Sequence, residues 1–151
     1  MRRLVATVLV GFLLLFAACS YITDFVIVNE SDGPVTVRYV VKDFPGSFYV
    51  PTEPKVVAAS QLSEDGRQWN PVHFEVDEAS RSVTTQLMPG QALRVAVMHH
   101  YSGHDDPGDA ENFQIQQITV TVTRGELNLT DELARTTFTR VARTLYTLTY
   151  R

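Results

Sequence analysis

Short stretches of alternating apolar and polar residues recur along the chain, and they predict β-strands. In residues 35–42, Val35, Val37, Tyr39 and Val41 alternate with polar or smaller neighbours. A period of two puts alternate side chains on opposite faces of a strand. The same period, or a short β-branched run, predicts further strands over 24–29, 72–77, 82–87, 92–101, 114–123, 126–129 and 145–150.

These predicted strands are short and are separated by turn residues at roughly ten-residue intervals, a spacing typical of β-sandwiches and barrels. We therefore predict an all-β fold, as an antiparallel β-sandwich or a partly open barrel. The turns at 30–34 and 78–81 predict hairpins that join 24–29 to 35–42 and 72–77 to 82–87. Ile115 is out of phase with Ile118, Val120 and Val122, which predicts a bulge near Gln116–Gln117.

Two regions are less regular. Residues 43–70 carry Pro45, Pro51 and Pro54 and predict loops with short edge strands over 48–50 and 55–59. Trp69 in this region is interpreted as a packing residue, with ligand stacking as the alternative. Near the C-terminus, residues 130–140 predict a short helix, although β-branched Thr136–Thr137 argue against it.

That helix would carry Leu133, Thr137 and Val141 on one shared face. Such a face is the part of a surface helix that normally packs against the core.

The N-terminal segment has a different pattern. Arg2 and Arg3 precede an unbroken apolar run from Leu4 to Phe16, which is followed by Ala17, Ala18 and Cys19. The run is shorter than the ~20 residues that a membrane-spanning helix needs. A basic start, a short apolar run and small residues are the order of a secretory signal.

With Cys19 directly after the small residues, this segment resembles bacterial lipoprotein precursors. The resemblance implies cleavage before Cys19, a diacylglycerol on its sulfur and acylation of the new amino group. It divides the chain into a signal peptide (1–18), a lipidated cysteine with a very short tether (19–23) and one domain (24–151). Ser20 implies a periplasm-facing outer-membrane location, with the inner membrane as the alternative.

The cysteine count and the net charge limit the kinds of chemistry and binding partner that the domain can have. Cys19 is the only cysteine, so the domain has no disulfide and no thiol chemistry. Loss of Arg2 and Arg3 with the signal takes the formal charge from −4 to −6. An acidic domain argues against nucleic acid as a partner. The expected partners are the membrane, through the lipid on Cys19, and an envelope protein, and no cofactor is expected.

One cluster of polar residues could carry chemistry. Three of the four histidines lie at positions 99, 100 and 104, beside several carboxylates. His99, His104, Asp105 and Asp106 are a speculative divalent-metal site, and the alternative is a hydrated acidic loop. On a strand, His99 and His100 point to opposite faces, so only one of the two would join such a site.

The chain contains none of the common nucleotide-binding, hydrolase or zinc-protease motifs. The sequence thus favours a non-enzymatic, membrane-anchored envelope lipoprotein that binds or scaffolds a protein or another envelope component. One alternative is a metal-binding or metal-sensing lipoprotein that uses residues 99–111. The other is a small hydrolase built on carboxylates such as Glu75 and Asp77. No ligand-binding residues are assigned.

Overall fold

The computed structural model describes residues 21–42, 54–63, 67–100, 115–122, 125–142 and 144–151. Eleven strands and one α-helix occur in these ranges. They are β1 (Tyr21–Asn29), β2 (Val35–Val41), β3 (Lys55–Ala58), β4 (Asn70–Pro71), β5 (Phe74–Asp77), β6 (Ser82–Leu87), β7 (Gln91–His100), β8 (Ile115–Val122), β9 (Gly125–Thr130), α1 (Asp131–Thr136), β10 (Thr139–Ala142) and β11 (Leu145–Tyr150).

The strands form two sheets that are not closed into a barrel, so the predicted β-sandwich is confirmed. Sheet A has the order β10-β11-β1-β7-β3-β4, and sheet B has the order β5-β6-β2-β8-β9. All described pairings are antiparallel except that of β1 with β11. β1 therefore lies inside sheet A, with a partner strand on each side.

The main core lies between the sheets and is built from the alternate residues that the sequence predicts. Val35, Val37 and Tyr39 of β2 are fully buried there. From sheet A, the Phe25 ring stacks on Tyr146 at 5.1 Å and meets Phe138 edge-on at 5.5 Å between ring centroids. Burial of these apolar faces is the main source of the sandwich's stability, since the domain has no disulfide.

The predicted hairpin of β5 and β6 is confirmed, but the predicted hairpin at the start of the domain is wrong. β1 and β2 lie in different sheets, because β1 pairs with β7 and β11. The first strand also begins at Tyr21, three residues before the predicted start at 24. Turn 30–34 thus crosses from one sheet to the other.

The buried side chain of Asn29 fixes this crossing. Its Nδ2 donates to the carbonyl oxygens of Gly33 and Leu87 at 2.9 and 3.0 Å. Its Oδ1 accepts from the backbone N–H and the hydroxyl of Ser31 at 3.0 and 2.7 Å. One amide therefore ties the turn to the end of β6 in sheet B and is fully satisfied.

The predicted bulge near Gln116 is confirmed. Val40 pairs with Gln117 and Val41 with Ile115, so Gln116 is the extra residue and Ile115 enters the core. A second bulge, in β7, was not predicted.

In the second bulge, Phe25 pairs with Ala96 and Val26 with Arg94, so Val95 is the extra residue. Ala96 therefore joins Val95 in the core, and Val97 turns to the other face with Asp24. Simple alternation along residues 92–101 would put Leu93, Val95 and Val97 on one face, and the bulge moves Val97 to the other face.

The predicted C-terminal helix is confirmed only as α1, since β10 replaces its second half. Its predicted apolar face is wrong: Ala134 and Phe138 are buried, whereas Leu133 and Val141 are exposed. The threonines end the helix, because the hydroxyls of Thr136 and Thr137 donate back to the carbonyl oxygens of Glu132 and Leu133.

Strand directions define two ends of the sandwich. The proximal end is where β1, β8 and β11 begin and where β2, β7 and β9 finish, as the pairs Tyr21–His100 and Val41–Ile115 show. The distal end carries Asn29, turn 30–34 and the turn at 88–90. At ~3.3 Å per residue, β1 separates the two ends by roughly 26 Å.

Candidate functional site

A groove of about 490 Å³ opens beside the β5–β6 hairpin, on the outer face of sheet B. Nine residues from β2, β5, β6, the start of β7 and the connections between them line it: Thr36, Val72, His73, Glu75, Thr84, Thr85, Gln86, Met88 and Gln91. Val72 and Met88 supply apolar surface, and the other side chains supply hydroxyl, amide, imidazole and carboxylate groups. A mixed lining of this kind suits an extended polar segment with a few apolar side chains.

Local hydrogen bonds hold the wall of the groove in position. The hydroxyl of Thr85 donates to the carbonyl oxygen of His73 at 2.6 Å, which fixes the residue that enters β5. His73 and Glu75 are exposed. β5 itself is an edge strand among the described strands, because sheet B has only β6 beside it. Its outer edge is therefore the backbone surface nearest the groove.

The turn after β5 is organised by Asp77. Ser80 Oγ donates to Asp77 Oδ2 at 2.6 Å, and the backbone N–H groups of Ser80 and Ala79 donate to Oδ1 at 3.3 and 3.0 Å. These hydrogen bonds, that of the Ser80 hydroxyl first, lower the pKa of the Asp77 carboxyl. The charge of Asp77 thus stabilises the hairpin turn, where Arg81 has a positive φ of 52°.

A second polar cluster lies on the outer face of sheet A. Arg67 Nη2 donates to Asp24 Oδ2 at 2.5 Å, and Arg94 Nη1 lies 3.6 Å from Asp24 Oδ1. Both guanidinium groups also stack on Trp69, at 5.6 Å for Arg67 and 4.8 Å for Arg94. The Asp24 side chain is 9% exposed, and those of Arg67 and Arg94 are 18% and 19% exposed.

This cluster fastens the connection between β3 and β4 over sheet A. Trp69, Leu62 and Ala59 from that connection pack on Val26, Val28, Val57, Ala92 and Leu145, which form a second apolar cluster. The Arg67 Nη1 group also donates to the carbonyl oxygen of Leu62 at 3.2 Å. The arrangement favours a structural role and agrees with the packing role predicted for Trp69.

Sequence reasoning missed this cluster. Alternation along residues 92–101 places Arg94 toward solvent, and residues 64–67 have the composition of a charged turn, whereas Arg94 and Arg67 are both largely covered. The only local signal was Asp24, a carboxylate at the head of the apolar run Phe25–Val28. A buried charge at that position requires an oppositely charged partner, but no residue near Asp24 in the sequence identifies that partner.

The predicted lipidation and metal residues lie mostly outside the described residues. Cys19, His104, Asp105 and Asp106 fall there. His99 belongs to β7 and pairs with Ile22, but only its backbone is described. Within the described ranges, no three His, Cys, Asp or Glu side chains form a group that could hold a metal ion. The metal hypothesis therefore stays a prediction.

The short strand predicted over 55–59 is confirmed as β3, but its predicted position at a sheet edge is wrong. β3 pairs with β7 on one side and with β4 on the other, because the chain returns at Asn70–Pro71 and covers Lys55 and Val56. Among the strands that the structure describes, the sheet edges are β4, β5, β9 and β10. The other predicted edge strand, 48–50, lies outside the described residues.

No helix within the described residues is both long and apolar enough to cross a bilayer. Comparison with known proteins adds no relative: no family model matches the chain. No curated protein and no solved structure matches it either.

Proposed function

We propose that this chain is a bacterial envelope lipoprotein whose β-sandwich binds or scaffolds a protein or another envelope component without catalysing a reaction. A lipid on Cys19 holds the domain at the membrane, as the resemblance of residues 1–19 to lipoprotein precursors implies. One observation carries the proposal: β1, an interior strand of sheet A, begins at Tyr21, only two residues after Cys19. Two residues reach at most about 7 Å.

The short connection between Cys19 and β1 supports a scaffolding role because it leaves the domain little freedom to move relative to the lipid. A flexible tether would be longer and rich in Gly and Ser. A lipid two residues from an interior strand instead holds the whole sandwich close to the bilayer surface, and two or more acyl chains make such an anchor stable. The distal end, roughly 26 Å away along β1, then points away from the membrane.

The groove beside β5 supports the binding role. The distal half of the groove is lined by Gln86, Met88 and Gln91. This half remains accessible when the domain is anchored at Cys19. An extended partner segment would pair with the outer edge of β5 and would direct alternate side chains toward the groove. We favour a protein segment as the ligand, because pairing with an edge strand requires a peptide backbone. The backbone hydrogen bonds supply the affinity, and the side chains supply the specificity.

The hydrolase alternative is less well supported by this groove. Glu75 and His73 both line it, but Glu75 is the only carboxylate among the described residues of its lining. Glycoside hydrolysis uses two carboxyl groups on opposite sides of the bond. Binding therefore fits the groove better than catalysis.

Mass spectrometry of the N-terminal peptide from the mature protein tests the anchor. The expected result is a diacylglyceryl-modified, acylated Cys19, and the Cys19→Ser variant should stay unprocessed. An N-terminus that carries no lipid would refute the anchoring.

Site-specific photocrosslinking in intact envelopes tests the binding role. A photoreactive residue at Glu75 of β5 should capture one reproducible partner. The matched control is Glu126 of β9, an exposed glutamate on the opposite edge strand of sheet B, and it should not capture that partner. Equal capture at both positions, or none at Glu75, would contradict binding at β5.

A further inference from the structure

The exposed apolar side chains are unevenly distributed over the sandwich. Five large apolar residues are exposed among the described residues, and each taken singly would be unremarkable for a soluble domain. Three of them, Ile22, Leu133 and Val141, belong to the proximal end. Met88 lies in the distal turn, and Val76 lies on edge strand β5.

The strand register places Ile22 and Val141 near the start of β1, which follows Cys19 closely in the sequence. Ile22 is the second residue of β1 and the third after Cys19. Val141 lies in β10, where its neighbour Ala142 pairs with Leu145, the first residue of β11. Only β11 separates β10 from β1, which corresponds to about 10 Å between the two strands.

Leu133 lies at the same end on α1. This helix follows Thr130, which pairs with Gln117 near the start of β8. It connects β9, at one edge of sheet B, to β10, at one edge of sheet A. The helix therefore crosses the side of the sandwich at its proximal end, next to the strand that carries Val141.

Helix α1 exposes the larger of two neighbouring apolar residues. Ala134 is fully buried against the core, whereas the larger Leu133 beside it is 59% exposed. Val141 and Ile22 are 57% and 50% exposed. A helix that packs only for stability buries its large apolar residues and exposes its small or polar ones. The side of the helix that packs on the sandwich thus buries Ala134 and leaves Leu133 uncovered.

We propose that Ile22, Leu133 and Val141, the proximal apolar rim, rest in the headgroup and acyl boundary of the bilayer that holds the lipid on Cys19. This inference depends on the lipid anchor of the proposed function. Amphipathic surfaces of peripheral proteins enter that boundary to a depth of about 5–10 Å. Ile22 is at most about 10 Å of chain from Cys19, so it reaches the boundary whenever the lipid is inserted.

The rim defines an orientation as well as a contact. A single lipid attachment fixes one point and leaves the domain free to tilt. Apolar residues on β1, α1 and β10 add contacts to one side of that point, and together they hold the proximal end against the bilayer. The groove beside β5 then opens away from the rim, toward the aqueous side.

Depth-dependent quenching in vesicles tests the rim. The full-length protein, processed in cells and reconstituted in vesicles of phosphatidylethanolamine and phosphatidylglycerol, carries one engineered cysteine with an environment-sensitive fluorophore. The natural Cys19 is blocked by its lipid, so only the engineered position is labelled. Leu133→Cys and Val141→Cys probe the rim, and Met88→Cys, at an exposed distal position, is the matched control.

The proposal predicts that acyl-chain nitroxide lipids reduce the fluorescence at Leu133 and Val141 and leave that at Met88 unchanged. Unquenched rim probes on a protein with lipidated Cys19 would overturn the rim and leave the anchor standing. A blue-shifted but unquenched rim probe would also overturn it, because protein rather than lipid would then cover the site. An unmodified Cys19 in the same preparation would overturn the rim and the anchor together.

Discussion

Arg67 Nη2 lies 2.5 Å from Asp24 Oδ2, although the two residues are 43 positions apart in the chain. This contact joins the loop before Trp69 to the first strand of the domain. Arg94 approaches the same carboxylate from β7, so one negative charge lies between two guanidinium groups that are mostly covered. Removal of that charge would leave two covered positive charges facing each other.

We expect Asp24→Asn to lower the free energy of unfolding by about 2–3 kcal/mol, because loss of one partner in a covered ion pair leaves the other uncompensated. Urea unfolding at neutral pH measures this. Glu30→Gln is the matched control: Glu30 Oε2 lies 2.9 Å from Arg151 Nε, but the side chains are 47% and 81% exposed. Its expected loss is under about 1 kcal/mol, and equal losses in the two variants would contradict a structural role for the cluster.

Asn29→Ala should lower the free energy of unfolding by about 1–3 kcal/mol. The substitution removes the two donors that reach Gly33 and Leu87 and the acceptor that Ser31 uses, all at a buried position. Chemical denaturation measures the loss. Ser31→Ala removes only the hydroxyl's contacts with Asn29 Oδ1 and the Gly33 carbonyl oxygen, so its loss should be the smaller of the two. The reverse order would show that the Asn29 amide does not fix the turn.

Tyr39→Phe should change stability by no more than about 1 kcal/mol at neutral pH, because the fully buried phenol oxygen has no hydrogen-bond partner among the described residues. Unfolding of the variant and the parent in urea at pH 7 tests this. A large destabilisation would show that the hydroxyl does have a partner.

The parent protein and the Tyr39→Phe variant should differ in how their stability changes at alkaline pH. Burial raises the pKa of Tyr39 above the ordinary value, while in the unfolded chain the phenol ionises near pH 10. Above about pH 10 the unfolded state therefore holds fewer protons than the folded state, and the free energy of unfolding falls as pH rises. Tyr39→Phe lacks this contribution, so its stability should fall less between about pH 10 and 12 than that of the parent. Parallel curves would contradict the assignment.

Ser80→Ala should raise the pKa of Asp77 toward its ordinary value, since the Ser80 hydroxyl is the main cause of the lowered pKa. NMR titration of the Asp77 carboxyl carbon measures this. A lowered pKa stabilises the fold above about pH 4, and that stabilisation is lost as pH falls through the folded-state pKa. The variant should therefore lose less stability on acidification. Ser31→Ala, whose hydroxyl contacts Asn29, should leave the titration of Asp77 unchanged.

Much of the fold was predictable because it depends on local periodicity. The alternation at Val35, Val37 and Tyr39 determines which face of β2 is buried, whichever strands lie beside it. The phase shift at Ile115 likewise predicted the bulge at Gln116, because large apolar residues on both sides of a shift reveal it. The bulge at Val95 was not predictable, because a small apolar residue such as Ala96 is equally compatible with the buried inner face of the sheet and with its covered outer face.

The candidate site was less predictable. The alternation of residues 72–77 places His73 and Glu75 on the outward face, where the structure has them, but the groove beside them also needs Thr36 from β2 and Gln91 from β7. Helix α1 was predicted with the wrong buried face, because a helical pattern ranks Leu133 above Ala134 as a core residue. Packing against β8 and β9 instead selects the small alanine, which allows the helix to approach the sandwich closely.

By itself, the sequence determined most of the strands, the inward face of β2, the all-β class and the lipoprotein-like start, because each depends on residues close together in the chain. The tertiary structure decided that β1 pairs in parallel with β11, that β2 crosses to the other sheet, and that Asp24 meets Arg67 and Arg94. It also decided which apolar side chains stay exposed at the proximal end. These outcomes depend on remote segments competing for the same buried surface, and local periodicity carries no information about that competition.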